Sequence, residues 1–143
     1  MNSNSQTLIT GVYRSGTEYL THLINCHPSI SASMYRVNFL RFVYKKAHSI
    51  HKQKDYKKIL IDLDKRLKYR YKININIKDI CNYINNKKIK VTYGKLYDIV
   101  MSHIYLKGKV KHWAEKNQLL WREIPEFIKI MPNGKAIIVV RDP

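Results

Sequence analysis

Acidic residues, cysteines and long apolar runs are all scarce in this sequence. Ten Asp and Glu face 27 Lys and Arg, which gives a formal net charge of +17. Cys26 and Cys81 form no C-x-x-C pair, so neither a disulfide framework nor a zinc site is indicated, and we expect two buried thiols in a reducing compartment. No apolar run approaches the ~20 residues that span a bilayer, and the polar start lacks a signal-peptide pattern. The expected location is the cytoplasm, without a membrane span.

The length and composition indicate one globular domain. The 143 residues are enough for a single core and too few for two full domains, and a hydrophobic fraction of 45% argues against disorder. The positive charge would suit a nucleic acid. However, the lysines are spread from Lys45 to Lys135 instead of forming one stripe. The chain is also rich in Lys, Asn, Ile and Tyr, whose codons are AT-rich, so the base composition of the gene can explain the charge. We therefore favour a solvated lysine-rich surface and expect no specific nucleic-acid partner.

The most informative stretch is Leu8–Leu20, with the sequence LITGVYRSGTEYL. Residues that favour strands lead into a loop with two glycines, and an amphipathic segment follows, which predicts strand, loop and helix. Loop amides and the helix dipole in such a unit favour an anion such as phosphate. Gly16 allows a close approach of the backbone, and Ser15 and Thr17 offer hydroxyl donors. Arg14 adds a planar guanidinium fork that suits a phosphate or sulfate.

The loop differs from that of nucleoside triphosphatases. Their pattern is G-x-x-x-x-G-K-[ST], and here Thr17 stands where the lysine would follow Gly16. A phosphorylated donor other than a magnesium-bound triphosphate is therefore favoured, and no metal site is predicted. Two alternatives stay open, namely another P-loop-like nucleotide-binding protein and a basic nucleic-acid-binding protein.

Strand and helix patterns alternate along the rest of the chain. The order predicts a three-layer α/β domain with a parallel sheet and a site at the carboxyl ends of its strands. The final apolar run is expected to be a strand covered on both faces. The predicted strands lie at Ser29–Ser33, within Val110–Gln118 and at Ala136–Val140. The predicted helices lie at Val37–Ile50, at Asp55–Lys68 with Asp55 as N-cap, after the N-cap Asn76, after Gly94 and within Leu119–Met131.

The glycine loop resembles that of the bacterial-type sulfotransferases that use 3'-phosphoadenosine 5'-phosphosulfate (PAPS), which commonly reads G-x-P-[RK]-S-G-T-[TS]-x-L. Tyr13 replaces the proline, and Glu18 replaces a hydroxyl residue. A carboxylate at this place opposes anion binding unless a cation pairs with it. The matching residues are Gly11, Arg14, Ser15, Gly16, Thr17 and Leu20.

A second block near the end of the chain is similar to four further sulfotransferase motifs, one of which is a helix with an Ile-Pro pair, here Ile124-Pro125. Trp113–Gln118 (WAEKNQ) resembles W-x-[ED]-K-T-P, with Asn-Gln in place of Thr-Pro. Met131–Lys135 (MPNGK) resembles the turn F-P-x-[AG]-K, and Val140–Pro143 (VRDP) matches a strand end. Two matching blocks at opposite ends are more specific than either block alone.

The resemblance implies transfer of a sulfuryl group from PAPS to a hydroxyl or amine, with carbohydrate as the acceptor class it suggests. The implied partners are this nucleotide donor and the acceptor, without a metal. Arg14 and Lys116 are the implied catalytic residues. The implied donor-binding residues are Arg14, Ser15, Gly16, Thr17, the backbone amide of Glu18, and Arg141, which would hold the 3'-phosphate.

The resemblance leaves the general base open and bears on the extent of the domain. Glu18, Glu115, His27 and His112 are all conceivable bases, and none is marked by spacing. Residues 1–143 are expected to form a single domain, with a helical acceptor-side region at about 36–108. After the strand predicted at Ala136–Val140, the family continues with a further helix. We therefore expect the domain to be incomplete at its C-terminus.

Overall fold

The computed structural model describes residues 5–44, 50, 53–106, 110–118 and 121–142. They form two compact units, Met1–Tyr35 with Tyr105–Pro143, and Arg36–Ile104. The elements in chain order are β1 (Gln6–Gly11), α1 (Thr17–Asn25), β2 (Ile30–Met34), a π-helical turn (Leu40–Tyr44), α2 (Gln53–Tyr71), α3 (Ile77–Asn86), α4 (Tyr93–Tyr105), β3 (His112–Lys116), a 3-10 turn (Trp121–Glu123), α5 (Ile124–Ile130) and β4 (Lys135–Val139).

The first unit contains a four-stranded, all-parallel sheet in the order β2-β3-β1-β4. β1 is central, with Ile9 paired to Lys116 of β3 and Gly11 paired to Val139 of β4. The carboxyl ends of three strands therefore meet beside the loop that follows β1. The predicted α/β class, the parallel sheet, the strand–loop–helix unit and the helices inserted between β2 and β3 are confirmed.

The second unit consists of helices around an apolar core. Phe39 stacks on Tyr97 with ring centroids 4.6 Å apart, and the guanidinium of Arg66 lies 3.8 Å from the centroid of Phe42. The same guanidinium donates hydrogen bonds to two backbone carbonyls, those of Arg36 and Val37. The role of this region on an acceptor side stays a prediction.

Several helix boundaries differ from those expected. Asp55 lies in the first turn of α2 and is not its N-cap, and Gly94 lies inside α4, where Thr92 Oγ1 accepts a hydrogen bond from Lys95 N. Asn76 does cap α3, since its side chain accepts from Asp79 N. Between Val37 and Ile50 the structure has the π-helical turn, and residues 45–49 of the expected helix lie outside the described residues.

The expected burial of β4 and of the two cysteines is wrong. β4 is the strand at one edge of the sheet, and Ile138 and Val140 are 52% and 79% exposed, so this apolar run is not covered on both faces. Cys26 is exposed and Cys81 is partly exposed, and both are free thiols. None of the helices within the described ranges has both the length and the apolar character needed to cross a membrane.

Candidate functional site

The loop between β1 and α1 has the backbone geometry of an anion-binding turn. Gly16 is the N-cap of α1 with φ 90°, and Arg14 also has a positive φ of 63°. Because Gly16 has no side chain, the first turn of the nine-residue helix has no side-chain cap. The amides of this turn are therefore oriented toward an anion that approaches the loop.

Gly11 brings the loop close to the sheet. A Cβ at this position would lie 2.5 Å from the carbonyl oxygen of Val139 and 2.7 Å from Ser15 Oγ, so only glycine fits. Ser15 is buried, and its hydroxyl has no hydrogen-bond partner among the described residues. A buried hydroxyl without a partner is costly, and an anion held by the loop would supply an acceptor for it.

Lys116, at the carboxyl end of β3, carries a fully buried side chain next to α1. Its Nζ lies 3.4 Å from Glu18 Oε1 in the first turn of α1 and 3.8 Å from the ring centroid of Tyr35. Burial lowers the pKa of Lys116 below its ordinary value, and the hydrogen bond and the charge of Glu18 partly offset this effect. The carboxylate thus pairs with the predicted catalytic lysine.

Tyr35, directly after β2, completes the surroundings of Lys116. Its backbone N–H donates to the Lys116 carbonyl at 3.1 Å, and its hydroxyl donates to Gln118 Oε1 at 2.8 Å and lies 3.4 Å from Glu18 Oε1. No motif or spacing in the sequence singled out Tyr35. Knowing that β2 adjoins β3 would have placed the residue after β2 beside Lys116, but strand order is not written in the local pattern.

The two arginines predicted to bind the donor are exposed, and both lie at the carboxyl ends of the strands. Arg14 is in the loop, and Arg141 follows β4 by two residues, next to the pairing of Val139 with Gly11. Neither guanidinium has an ion pair or a hydrogen bond within the described part of the chain, so both are available to an anion. The sheet register brings Arg141 and the loop toward the same end of neighbouring strands.

The four conceivable bases are not equally placed. His112 begins β3, at the opposite end of the strand from Lys116, where its Nδ1 lies 2.8 Å from Ser5 Oγ. His27 is exposed, and its Nδ1 accepts from Ser29 N, while Glu115 is buried within β3. Only Glu18 is brought to Lys116. Within the described residues, no cluster of three or more His, Cys, Asp or Glu could hold a metal ion.

The sequence comparison agrees with this geometry. Residues 7–143 match the model of a family described as the sulfotransferase family. The chain belongs to the sulfotransferase family. The match extends over the glycine loop, the helical unit and the strand that ends in Lys116. No curated protein matches the chain.

Proposed function

We propose that this sulfotransferase uses PAPS as its sulfuryl donor and a hydroxyl or amine as its acceptor. The observation that carries the proposal is the capless glycine loop after β1 with Lys116 at the end of the adjacent strand β3. The amides of residues 16–18 and the unpartnered hydroxyl of Ser15 fit the 5'-phosphate of such a donor. Arg141, exposed at the end of β4, fits the 3'-phosphate that distinguishes PAPS from ATP.

The chemical step requires positive charge at the leaving oxygen. The bond between sulfur and the bridging oxygen breaks while the acceptor oxygen or nitrogen bonds to sulfur. The electron pair of the broken bond stays on the phosphate, and the acceptor gives up its proton to water. An ammonium group and loop amides can neutralise this charge without a metal. In this site Lys116 provides the ammonium, and Arg14 and the backbone amides face the phosphosulfate oxygens.

Lys116 must be protonated to perform this role. Its burial favours the neutral amine, whereas the adjacent Glu18 carboxylate and the ring of Tyr35 favour the ammonium. The bound donor adds negative charge and therefore favours the ammonium further. With the donor bound, the charge of the nucleotide and the ring of Tyr35 both favour the ammonium form of Lys116.

Calorimetric titration with 3'-phosphoadenosine 5'-phosphate (PAP), the unreactive product, tests the donor assignment. In Arg14→Ala we expect PAP affinity to fall about ten- to hundredfold, because hydrogen bonds to charged groups are lost. Arg122→Ala is the matched control, since Arg122 is exposed and its guanidinium lies over the ring of Trp121. Binding of ATP with magnesium in preference to PAP, or equal PAP affinity in Arg14→Ala and the wild type, would contradict the proposal.

The acceptor class is tested by transfer of radiolabelled sulfate from PAPS. We propose carbohydrate hydroxyls as the first class of acceptor, on the grounds of the family resemblance. A panel of neutral, acidic and amino sugars, with a phenol and an alkyl amine as references, would separate the classes. Faster labelling of the phenol than of every sugar would rule out the carbohydrate proposal while leaving the donor assignment in place.

A further inference from the structure

The surroundings of Lys116 contain a feature that the proposed chemistry does not use. The Lys116 side chain is fully buried, so no ligand can contact it while its neighbours keep these positions. Within the described part of the chain, two side chains contact its ammonium, the carboxylate of Glu18 and the ring of Tyr35. A donor therefore reaches Lys116 only if a side chain around it moves, and these two are the candidates among the described residues.

The two neighbours differ in how firmly they are held. The Glu18 side chain is 66% exposed, and rotating into water would break only two contacts of 3.4 Å, one to the Lys116 ammonium and one to the Tyr35 hydroxyl. Tyr35 is held at three points: its N–H bonds to the Lys116 carbonyl, its hydroxyl bonds to Gln118, and its ring lies against the ammonium. Glu18 is therefore the neighbour that leaves, and Tyr35 is the one that stays.

The backbone of Tyr35 supports the same view. Its φ of 58° lies in the left-handed region, which is uncommon for a bulky residue without a special role. This conformation turns the chain directly after β2 so that the ring lies at the carboxyl end of the neighbouring strand β3. A left-handed aromatic residue whose ring faces a buried lysine indicates a constraint beyond packing.

We propose that Tyr35 is a positioning residue for Lys116, whose ring holds the ammonium in place for the sulfuryl group once Glu18 has rotated away. The backbone hydrogen bond to the Lys116 carbonyl holds the residue beside the ammonium, and the hydroxyl bond to Gln118 adds to it without being required. The ring face attracts the cation without forming a salt bridge that would compete with the donor. The part of this inference that concerns the sulfuryl group rests on the proposed function. The contact between Tyr35 and Lys116 does not depend on it.

The first test is an NMR measurement on the protein without ligand. Protons above an aromatic ring face are shielded, so we expect upfield-shifted ε-protons for Lys116, assigned by their disappearance in Lys116→Arg. The shift should persist in Tyr35→Phe, which keeps the ring, and vanish in Tyr35→Leu. Tyr69→Leu is the control, since Tyr69 is 83% exposed on α2. Unshifted resonances in the wild type, or a shift that survives in Tyr35→Leu, would overturn the proposal.

The second test compares two nucleotides that differ by the sulfuryl group. In Tyr35→Leu we expect PAPS affinity to fall about tenfold, the scale of a desolvated cation–π contact, while PAP affinity changes less than about threefold. In Tyr35→Phe the ratio of the two affinities should stay close to that of the wild type. Equal losses for PAP and PAPS would indicate a merely structural role and overturn the proposal.

The two tests distinguish failure of this inference from failure of the proposed function. If the wild type binds neither PAP nor PAPS, the donor assignment fails, and the proposed role toward a sulfuryl group fails with it. The Lys116 resonance would still decide whether Tyr35 holds the lysine. If both nucleotides bind and only the resonance pattern disagrees, the donor assignment stands and the role of Tyr35 is wrong.

Discussion

Replacing Glu18 by glutamine should have opposite effects on stability and on donor affinity. The substitution keeps the shape of the side chain and removes the charge that lies 3.4 Å from Lys116 Nζ. Unit charges at this distance interact by about 1 kcal/mol in water and about 5 kcal/mol at an effective dielectric constant of 20. Because Glu18 is largely exposed, the low end applies, and we expect the free energy of unfolding to fall by about 1–2 kcal/mol.

The same change should strengthen donor binding. Glu18 repels the phosphates of a bound nucleotide and occupies the ammonium that they would contact. Removing about 1 kcal/mol of like-charge repulsion corresponds to PAP binding about fivefold tighter. The expected result is therefore a melting temperature about 3–6 °C lower without ligand, together with a higher PAP affinity.

Differential scanning calorimetry and calorimetric titration measure the two effects. Asp62→Asn is the matched control, because it removes the same charge from an exposed position on α2. Weaker PAP binding in Glu18→Gln would refute the reasoning, since it would mean that the carboxylate assists the donor site. Unchanged stability would refute the pairing with Lys116.

The pH dependence of the stability difference follows from the pKa of Lys116. Burial lowers this pKa from 10.5, and Glu18 opposes the lowering. A lysine with a lowered folded-state pKa binds fewer protons than in the unfolded chain, so between that pKa and 10.5 it contributes stability that increases with pH. Glu18→Gln lowers the pKa further. The stability lost on substitution should therefore be fully present below the pKa of Lys116 in the variant, shrink as the pH rises from that value to the wild-type pKa, and change no further above it.

Three further predictions concern the loop, the end of β3 and a helix cap. Gly11→Ala should abolish PAP binding and cost roughly 2 kcal/mol or more, because its Cβ would overlap a strand carbonyl. Gly16→Ala, with open space around its Cβ, should cost about 1–2 kcal/mol from its positive φ alone. Asn117→Val should raise the free energy of unfolding by about 1–2 kcal/mol, since both polar side-chain atoms are buried without a partner among the described residues. Asn76→Ala should cost about 1 kcal/mol through loss of the α3 cap, whereas Asn82→Ala within that helix should cost nothing. Urea denaturation measures each change, and equal costs for the two glycines or for the two asparagines would contradict the structural argument.

Local sequence was sufficient to predict the glycine loop after β1 and several helices. The turn from β1 into α1 depends on neighbouring residues, namely a run that favours strands, two glycines and an amphipathic segment, so its form follows from a short stretch. The cap of α3 by Asn76 is equally local, because its side chain bonds to an amide three residues away. The alternation of strands and helices likewise predicted a parallel α/β sheet.

Only the tertiary structure decided what surrounds Lys116. Glu18 and Lys116 are 98 residues apart in the chain, and they meet because β3 pairs with β1 and α1 follows β1. Tyr35 reaches the same point because β2 pairs with β3. Strand order depends on long-range packing that hydrophobic periodicity does not encode. A pattern that predicts each strand therefore does not predict which strands lie next to it. The same limit explains the wrong burial expected for β4, since an apolar run does not reveal whether its strand lies at the centre or the edge of a sheet.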